Sequence, residues 1–375
     1  MMKVCHIISG DLWAGAESMD YHLLKGLRQF GNVDLSAILF NEGRLSEEIR
    51  KLGIPLDIVD EKKLNIFQML RRTNGIMAKR VPNIIHSHRY KENVISFLTG
   101  RFNRGVRLIS TQHGIPEYYG NNVNMKHLFL NRINFFILSR YFRKVTAVSE
   151  NIRSVLITRY GFPREKLAVV HNGVNTIREY PPKTQEDLFV IGTSGRLFPV
   201  KDYPFLIEIA REIRNSTDEI RFELAGDGPE RRKIEELVET YGLGDRFLLR
   251  GTIEDMNGFY KGLDLYINTS LHEGIPMSVL EAMAHGLAVV APDVGGFREI
   301  IHDGLSGYLV EKRDPKVFAA KCLELYRNRK AMLEMATEAR KKVAREFSFE
   351  RMARDYYRLY LEVADRSHSV EREGA

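Results

Sequence analysis

Glu273 and Glu281 stand eight residues apart where a short apolar run gives way to a helical pattern. The run, residues 265–268, has the β-rich character of a strand, and the pattern after it predicts a helix over 276–285. Pro276 suits the first turn, and Gly286 takes the place glycine prefers just past a helix. Glu273 and Gly274 then fall in the loop at the positive end of that helix, where free N–H groups around Met277 and Ser278 make an anion site. A carboxylate there is a poor phosphate ligand, but it accepts hydrogen bonds from sugar hydroxyls carried beside the phosphate. Glu281, inside the helix, can reach another part of the same ligand. Taken singly, each has a plainer use, Glu273 as a helix cap and Glu281 as a solvated helix residue.

Arg196 and Lys201 follow a second apolar run, 188–192, and lie five residues apart around Pro199. A basic pair on a loop after a strand suits a diphosphate, whose charge needs compensation as it leaves; a pair of solvated surface cations is the alternative. No Asp-x-Asp pair for a metal lies near them. Gly15, between Ala14 and Ala16, lets backbone approach a ligand where a helix starts. His113 follows the run 108–111, and His86 and His88 sit at the end of the run 84–88. The first strand is not followed by Gly-x-Gly-x-x-Gly, and no Gly-x4-Gly-Lys phosphate loop exists, which argues against a dinucleotide or P-loop enzyme.

The elements that must position these residues form two similar series. Strands are expected at 3–8, 35–39, 84–88, 108–111, 145–148 and 167–170, with helices such as 16–30 and 94–102 between them. Strand, loop and helix in alternation imply a parallel, doubly wound sheet. Asn172-Gly173 ends the first series, and residues 175–187, with Pro181-Pro182, read as a linker. The alternation restarts with strands at 188–192, 222–225, 247–249, 265–268 and 288–291 and helices at 203–214, 229–241 and 276–285. From about residue 331 the chain is helical and charged, with a polar tail over 366–375. The expected fold class is α/β: two Rossmann-like, doubly wound domains facing a cleft. They span 1–176, on the acceptor side, and 177–345, on the nucleotide-sugar side, and 346–375 adds a C-terminal helix crossing back to the first domain. Ligands bind such sheets outside the carboxyl ends of the strands.

His272-Glu273-Gly274-Ile275-Pro276-Met277 with Glu281 resembles the Glu-x7-Glu motif of the retaining glycosyltransferases of family 4, which have the two-domain GT-B fold. Three further stretches match in order. These are Gly195 through Lys201-Asp202, the loop Ala225-Gly226-Asp227-Gly228-Pro229, and Gly295-Gly296 through Glu299 to Gly304 with Gly307. Ala14-Gly15-Ala16-Glu17 departs from the family's Gly-Gly-x-Glu, and His171-Asn172-Gly173-Val174-Asn175 is similar to its hinge. The resemblance implies a nucleotide-diphosphate sugar as donor, with Arg196 and Lys201 on its diphosphate, Glu273 on the sugar hydroxyls, Glu281 on the ribose and His113 against the donor sugar. It also implies transfer with retention and no dedicated protein base, consistent with the lack of a Ser-His-Asp or paired-acid arrangement. No cofactor and no metal are expected. The acceptor is a glycan or lipid-linked molecule of cell-surface polysaccharide or glycolipid synthesis, with His86 and His88 as acceptor-side candidates.

Charge separates the halves. Of the 375 residues, 1–175 hold 26 Lys and Arg against 14 Asp and Glu, whereas the remainder is net negative. Two basic stretches, 62–80 and 126–144, interleave cations with Leu, Ile, Phe and Met and suit an anionic membrane surface as well as a packed helix with a solvated face. Only Cys5 and Cys322 occur, and no run approaches the roughly 20 apolar residues of a membrane span. The expected location is the cytoplasm, peripheral on the inner face of the plasma membrane. Nucleic acid is not an expected partner. A nucleotide-sugar epimerase or phosphorylase of similar architecture, and a basic nucleic-acid or membrane-binding module, are the rival readings.

Overall fold

The computed structural model describes residues 1–10, 13–103, 105–115, 125–176 and 188–365, the side chains of 125–128 excepted. The linker expected at 175–187 therefore lies largely outside the described residues, and the polar tail at 366–375 lies wholly outside them. The chain divides into two units, Met1–Gly173 with Phe349–Ala375, and Val174–Ser348.

In the first unit, β1 (Met2–Ile8), α1 (Gly15–Leu27), β2 (Val33–Leu39), α2 (Arg44–Lys51), β3 (Leu56–Ile58), α3 (Ile66–Arg80) and β4 (Ile84–Ser87) follow one another. Then come α4 (Tyr90–Phe102), β5 (Arg107–Gln112), α5 (Met125–Tyr141), β6 (Lys144–Ala147), α6 (Glu150–Tyr160) and β7 (Leu167–Val169). The strands form one sheet in the order β3-β2-β1-β4-β5-β6-β7, parallel throughout. Both faces are covered, so the strands carry near-continuous apolar runs, with Val4, Cys5, Ile7, Ile84 and Ile85 fully buried.

The second unit holds β8 (Phe189–Ser194), α7 (Tyr203–Arg214), β9 (Ile220–Ala225), α8 (Arg231–Thr240), β10 (Phe247–Gly251), α9 (Met256–Lys261) and β11 (Leu265–Ile267). It continues with α10 (Met277–Ala284), β12 (Ala288–Pro292), α11 (Phe297–Ile300), β13 (Tyr308–Val310), α12 (Pro315–Arg327) and α13 (Arg329–Glu346). Its parallel sheet runs β10-β9-β8-β11-β12-β13. The core gathers Phe189, Ile191, Leu206, Ile209, Leu265 and Phe318 between sheet and helices.

The last helix, α14 (Phe349–Asp365), belongs to the first unit and packs on α1. Gly26 permits the approach, since a Cβ there would stand 2.5 Å from that of Ala353. Two doubly wound parallel sheets are thus what the alternating pattern implied. The three-residue strands β3 and β13 were not expected from the sequence. Among the described residues no helix is long and apolar enough to cross a membrane.

Candidate active site

In the second unit the residues singled out by spacing lie on loops that follow β8, β9, β11 and β12, except Met277, Ser278 and Glu281, which lie on α10. The loops after β8 and β9 touch backbone to backbone: Gly195 N–H donates to Ala225 O at 3.0 Å, and Leu197 N–H to Asp227 O at 3.0 Å. A Cβ on Gly226 would fall 1.9 Å from Gly195 O, so only glycine fits. A short 3-10 turn, Pro199–Lys201, then turns Lys201 inward. Its Nζ donates to Glu273 Oε1 at 2.5 Å, and Ser270 Oγ donates to the same oxygen at 2.8 Å. The two charged side chains are 19% and 17% exposed. Two bonds pin the loops together, Leu271 N–H to Val200 O at 2.8 Å along the backbone and the Thr269 hydroxyl Oγ1 to Lys201 O at 2.9 Å. Glu273 is fixed from the other side as well: Gly296 N–H donates to its carbonyl at 3.1 Å, and Gly295 and Gly296 lie against the Glu273 and Gly274 carbonyls.

The helix after Glu273 begins one residue later than expected. Pro276 is its N-cap in extended conformation, no side chain caps it, and Met277 and Ser278 open the first turn. Gly286 closes it in the left-handed region, as its placement suggested. Glu281 is not merely solvated, because its Oε2 accepts from Tyr260 Oη at 2.9 Å. Ser194 Oγ joins that phenol, at 3.1 Å, to Tyr266 Oη, at 3.0 Å. Burial, with Glu281 beside it, holds the Tyr260 phenol well above its ordinary range. Arg196 is exposed, with its guanidinium 4.9 Å from the Phe198 ring centre. Among the described residues no ion pair joins it to Glu273. The structure thus brings Lys201 to Glu273 and leaves Arg196 at the mouth of the same loop.

In the first unit Gly15 opens α1, exposed, behind the uncapped N-cap residue Ala14. His113 follows β5, 16% exposed, with Nε2 3.9 Å from Asp20 Oδ1, beyond hydrogen-bond reach. Neither of its ring nitrogens has a hydrogen-bond partner among the described residues. Burial pushes its imidazole down to about 4, against the opposing pull of Asp20. Beside it runs a buried chain that spacing did not reveal. Asp20 Oδ1 lies 2.7 Å from His88 Nδ1, and His88 Nε2 lies 3.2 Å from His6 Nδ1. Tyr360 Oη then stands 3.4 Å from His6 Nε2 and 2.6 Å from His86 Nδ1, and His86 Nε2 lies 2.8 Å from Thr111 Oγ1. His86 and His88 are enclosed in this chain rather than open to an acceptor, which corrects their expected place. The parallel register sets His6 beside His86, and α14 supplies the tyrosine from more than 270 residues away.

Asp20, His88 and His113 have the donor types of a zinc site and lie close enough together to be considered for one. Two ligands of one zinc ion stand about 3.3 Å apart, given bonds of about 2.0 Å in a tetrahedron. The 2.7 Å between Asp20 Oδ1 and His88 Nδ1 is shorter than that separation, although neither atom makes a hydrogen bond of good geometry among the described residues.

Comparison with known proteins bears on the whole chain. A family model described as Glycosyltransferase Family 4 matches residues 13–178, and one described as Glycosyl transferases group 1 matches residues 189–328. The chain is a glycosyltransferase of the GT-B fold. This glycosyltransferase is 26% identical to "Putative glycosyltransferase EpsD" of Bacillus subtilis, over 94% of its own length and 98% of that relative. It is 23% identical to the Escherichia coli UDP-Gal:alpha-D-GlcNAc-diphosphoundecaprenol alpha-1,3-galactosyltransferase, over 96% and 97% of the two chains. Among solved structures, Anabaena HepE in complex with UDP-glucose superposes with a TM-score of 0.84 at 20% identity, covering 96% of this chain and 100% of that one. At that identity the likeness establishes the fold.

Proposed function

We propose that this glycosyltransferase moves a sugar from a nucleotide-diphosphate sugar to a glycan or lipid-linked acceptor, in the building of a cell-surface polysaccharide or glycolipid. The observation that carries the reading is the Lys201–Glu273 pair, held on two loops beside the uncapped start of α10. Lys201 and Arg196 take the diphosphate, and the N–H groups of Met277 and Ser278 add donors at the positive helix end. Glu273, held by Lys201 and Ser270, accepts hydrogen bonds from sugar hydroxyls with Gly274 in the same loop, and Glu281 accepts them from the ribose.

Transfer proceeds with retention. The acceptor oxygen attacks the face from which the diphosphate departs, a departing phosphate oxygen receives the acceptor's proton, and fixed cations rather than a metal offset the charge. The E. coli relative's named UDP-galactose donor and the UDP-glucose in the HepE complex support a UDP-sugar.

The test is a thermal-shift screen across UDP-, GDP- and ADP-sugars, followed by assays of donor hydrolysis and transfer on the hit. Stabilisation by one nucleotide class and release of that nucleotide are expected. No shift with any class would overturn the donor assignment, and net epimerisation without acceptor would favour an epimerase.

A further inference from the structure

At the amino ends of β5 and β6, the edge of the first unit's sheet opposite His113, lies a cavity of about 430 Å³ that the proposed transfer does not use. Six cations line it. Two are already engaged: Lys144 Nζ meets Glu165 O at 3.0 Å and Glu362 Oε1 at 3.1 Å, and Lys166 Nζ donates to Ser139 O at 2.6 Å and Arg140 O at 3.1 Å. The other four are Arg101, Arg107, Arg140 and Arg143, and among the described residues none of them has a carboxylate partner. Set against the two glutamates that also line it, Glu165 and Glu362, the six cations leave the space net positive, which suits an anion with several acceptor oxygens. Burial and the neighbouring Arg140 lower the Lys166 ammonium below its ordinary range, which reflects the same crowding of positive charge.

The surroundings separate a free phosphate from one carried on a lipid. Along α5, Phe129, Arg132, Phe136 and Arg140 follow at intervals of three and four and are all exposed, so they form one stripe leading to the cavity. Phe136 is 63% and Phe129 64% exposed, Tyr141 at the cavity wall is 45% exposed, and Phe102 at the end of α4 is 70% exposed. Apolar rings left in water beside arginines gain by entering the boundary between headgroups and acyl chains, whereas a soluble anion would leave them wet.

We propose that the cavity bounded by Arg101, Arg107, Arg140 and Arg143 takes the phosphate headgroup of an anionic phospholipid, with the exposed aromatics of α4 and α5 seated in the leaflet. The guanidinium groups bind the phosphate, the Phe97–Tyr141 ring pair, 4.6 Å between centres, walls the cavity, and the stripe fixes how the first unit lies on the membrane. The site does not depend on the identity of the donor.

The full-length protein is sedimented with vesicles of phosphatidylcholine alone and of phosphatidylcholine with phosphatidylglycerol. Partition into the anionic vesicles is expected, and the paired change Arg140→Gln with Arg143→Gln lowers it roughly 30-fold, about 5-fold per cation. Lys330→Gln with Lys341→Gln, an equal charge loss on α13, leaves it within about 2-fold, and unchanged melting temperatures verify folding. Should the arginine variant melt lower, Phe136→Ser carries the test and weakens partition by itself. Equal binding to both vesicles, or equal loss from the two charge variants, overturns the proposal. So does stabilisation by glycerol phosphate in a protein that ignores anionic vesicles, which would mark a site for soluble phosphate.

Discussion

Lys201 and Glu273 form a charge pair about four-fifths buried, and each depends on the other for its placement. Removing the ammonium leaves the Glu273 carboxylate with the Ser270 hydroxyl and takes away the group that would meet the departing diphosphate. Lys201→Ala is expected to lower kcat/KM by about 10²- to 10³-fold, the usual effect of losing one preorganised charge-stabilising group. Lys201→Arg recovers part of it at most, because a planar fork does not fit where a point charge sits 2.5 Å from a carboxylate. Arg196 is exposed and lies against Phe198, away from Glu273, so Arg196→Ala should raise KM for the donor more than it lowers kcat. Steady-state kinetics on the three variants check both statements, and a Lys201→Ala enzyme with unaltered turnover would remove the lysine from the mechanism. Sequence made each of the two residues legible, since they sit on loops after strands and Glu273 precedes the helix that Pro276 caps, but not their contact, which the bonds between the two loops bring about. Asp20 escaped notice because nothing in its helix sets it apart; only the packing of α1 against the strand ends places it beside His88.

At the scale of elements, the glycines of the loops decide whether the charged groups can meet. A Cβ on Gly296 would stand 1.7 Å from Gly274 O, so Gly296→Ala must push away the loop that carries Glu273. The expected cost is about 1–3 kcal/mol of stability together with loss of donor binding. Gly286→Ala meets no neighbour within 4 Å and strains only its left-handed backbone, so about 1 kcal/mol is lost and binding is spared. Urea melts paired with nucleotide titrations distinguish the two, and equal donor affinity in both would mean that the loop contact does not position Glu273. Helices such as α1, α4, α7, α8 and α10 and most strands were legible because each has both a period and a boundary signal, whereas α2, α6, α9, α11 and α12 were not singled out. Strands β3 and β13 were not: β3 carries Asp57 at its centre, and pairing with β2 and β12 makes both of them strands. The basic stretch at 126–144 was legible as a helix but not as two surfaces. Phe135, Ile137 and Leu138 are buried, while Phe129 and Phe136 are exposed, and only packing shows which is which.

Across the whole molecule, the buried histidines of the first unit set how stability depends on pH. Burial depresses His6 and His86 far below 6.5, His22 and His113 to about 4 and His88 to about 3. The unfolded chain therefore binds protons at these sites that the native chain refuses, and stability is lost as pH falls below 6.5. Two carboxyl groups oppose this. Burial raises Asp20 to about 6 and Glu92 to about 7, so in the window between 4.5 and 7 the native chain keeps protons that the unfolded chain releases. Five depressed bases outweigh two raised acids, and the net expectation is a melting temperature that falls between pH 7 and pH 5. The opposing sign makes a sharper test. Glu92 is buried against Ser9, and Glu92→Gln keeps a hydrogen-bonding group there while deleting one of the two protons held by the native state. The slope of unfolding free energy against pH should then steepen between 4.5 and 7 by up to about 1.4 kcal/mol per pH unit. Urea unfolding across that range measures it, and a slope unchanged or shallower in Glu92→Gln would show that the carboxyl group is ionised in the folded protein.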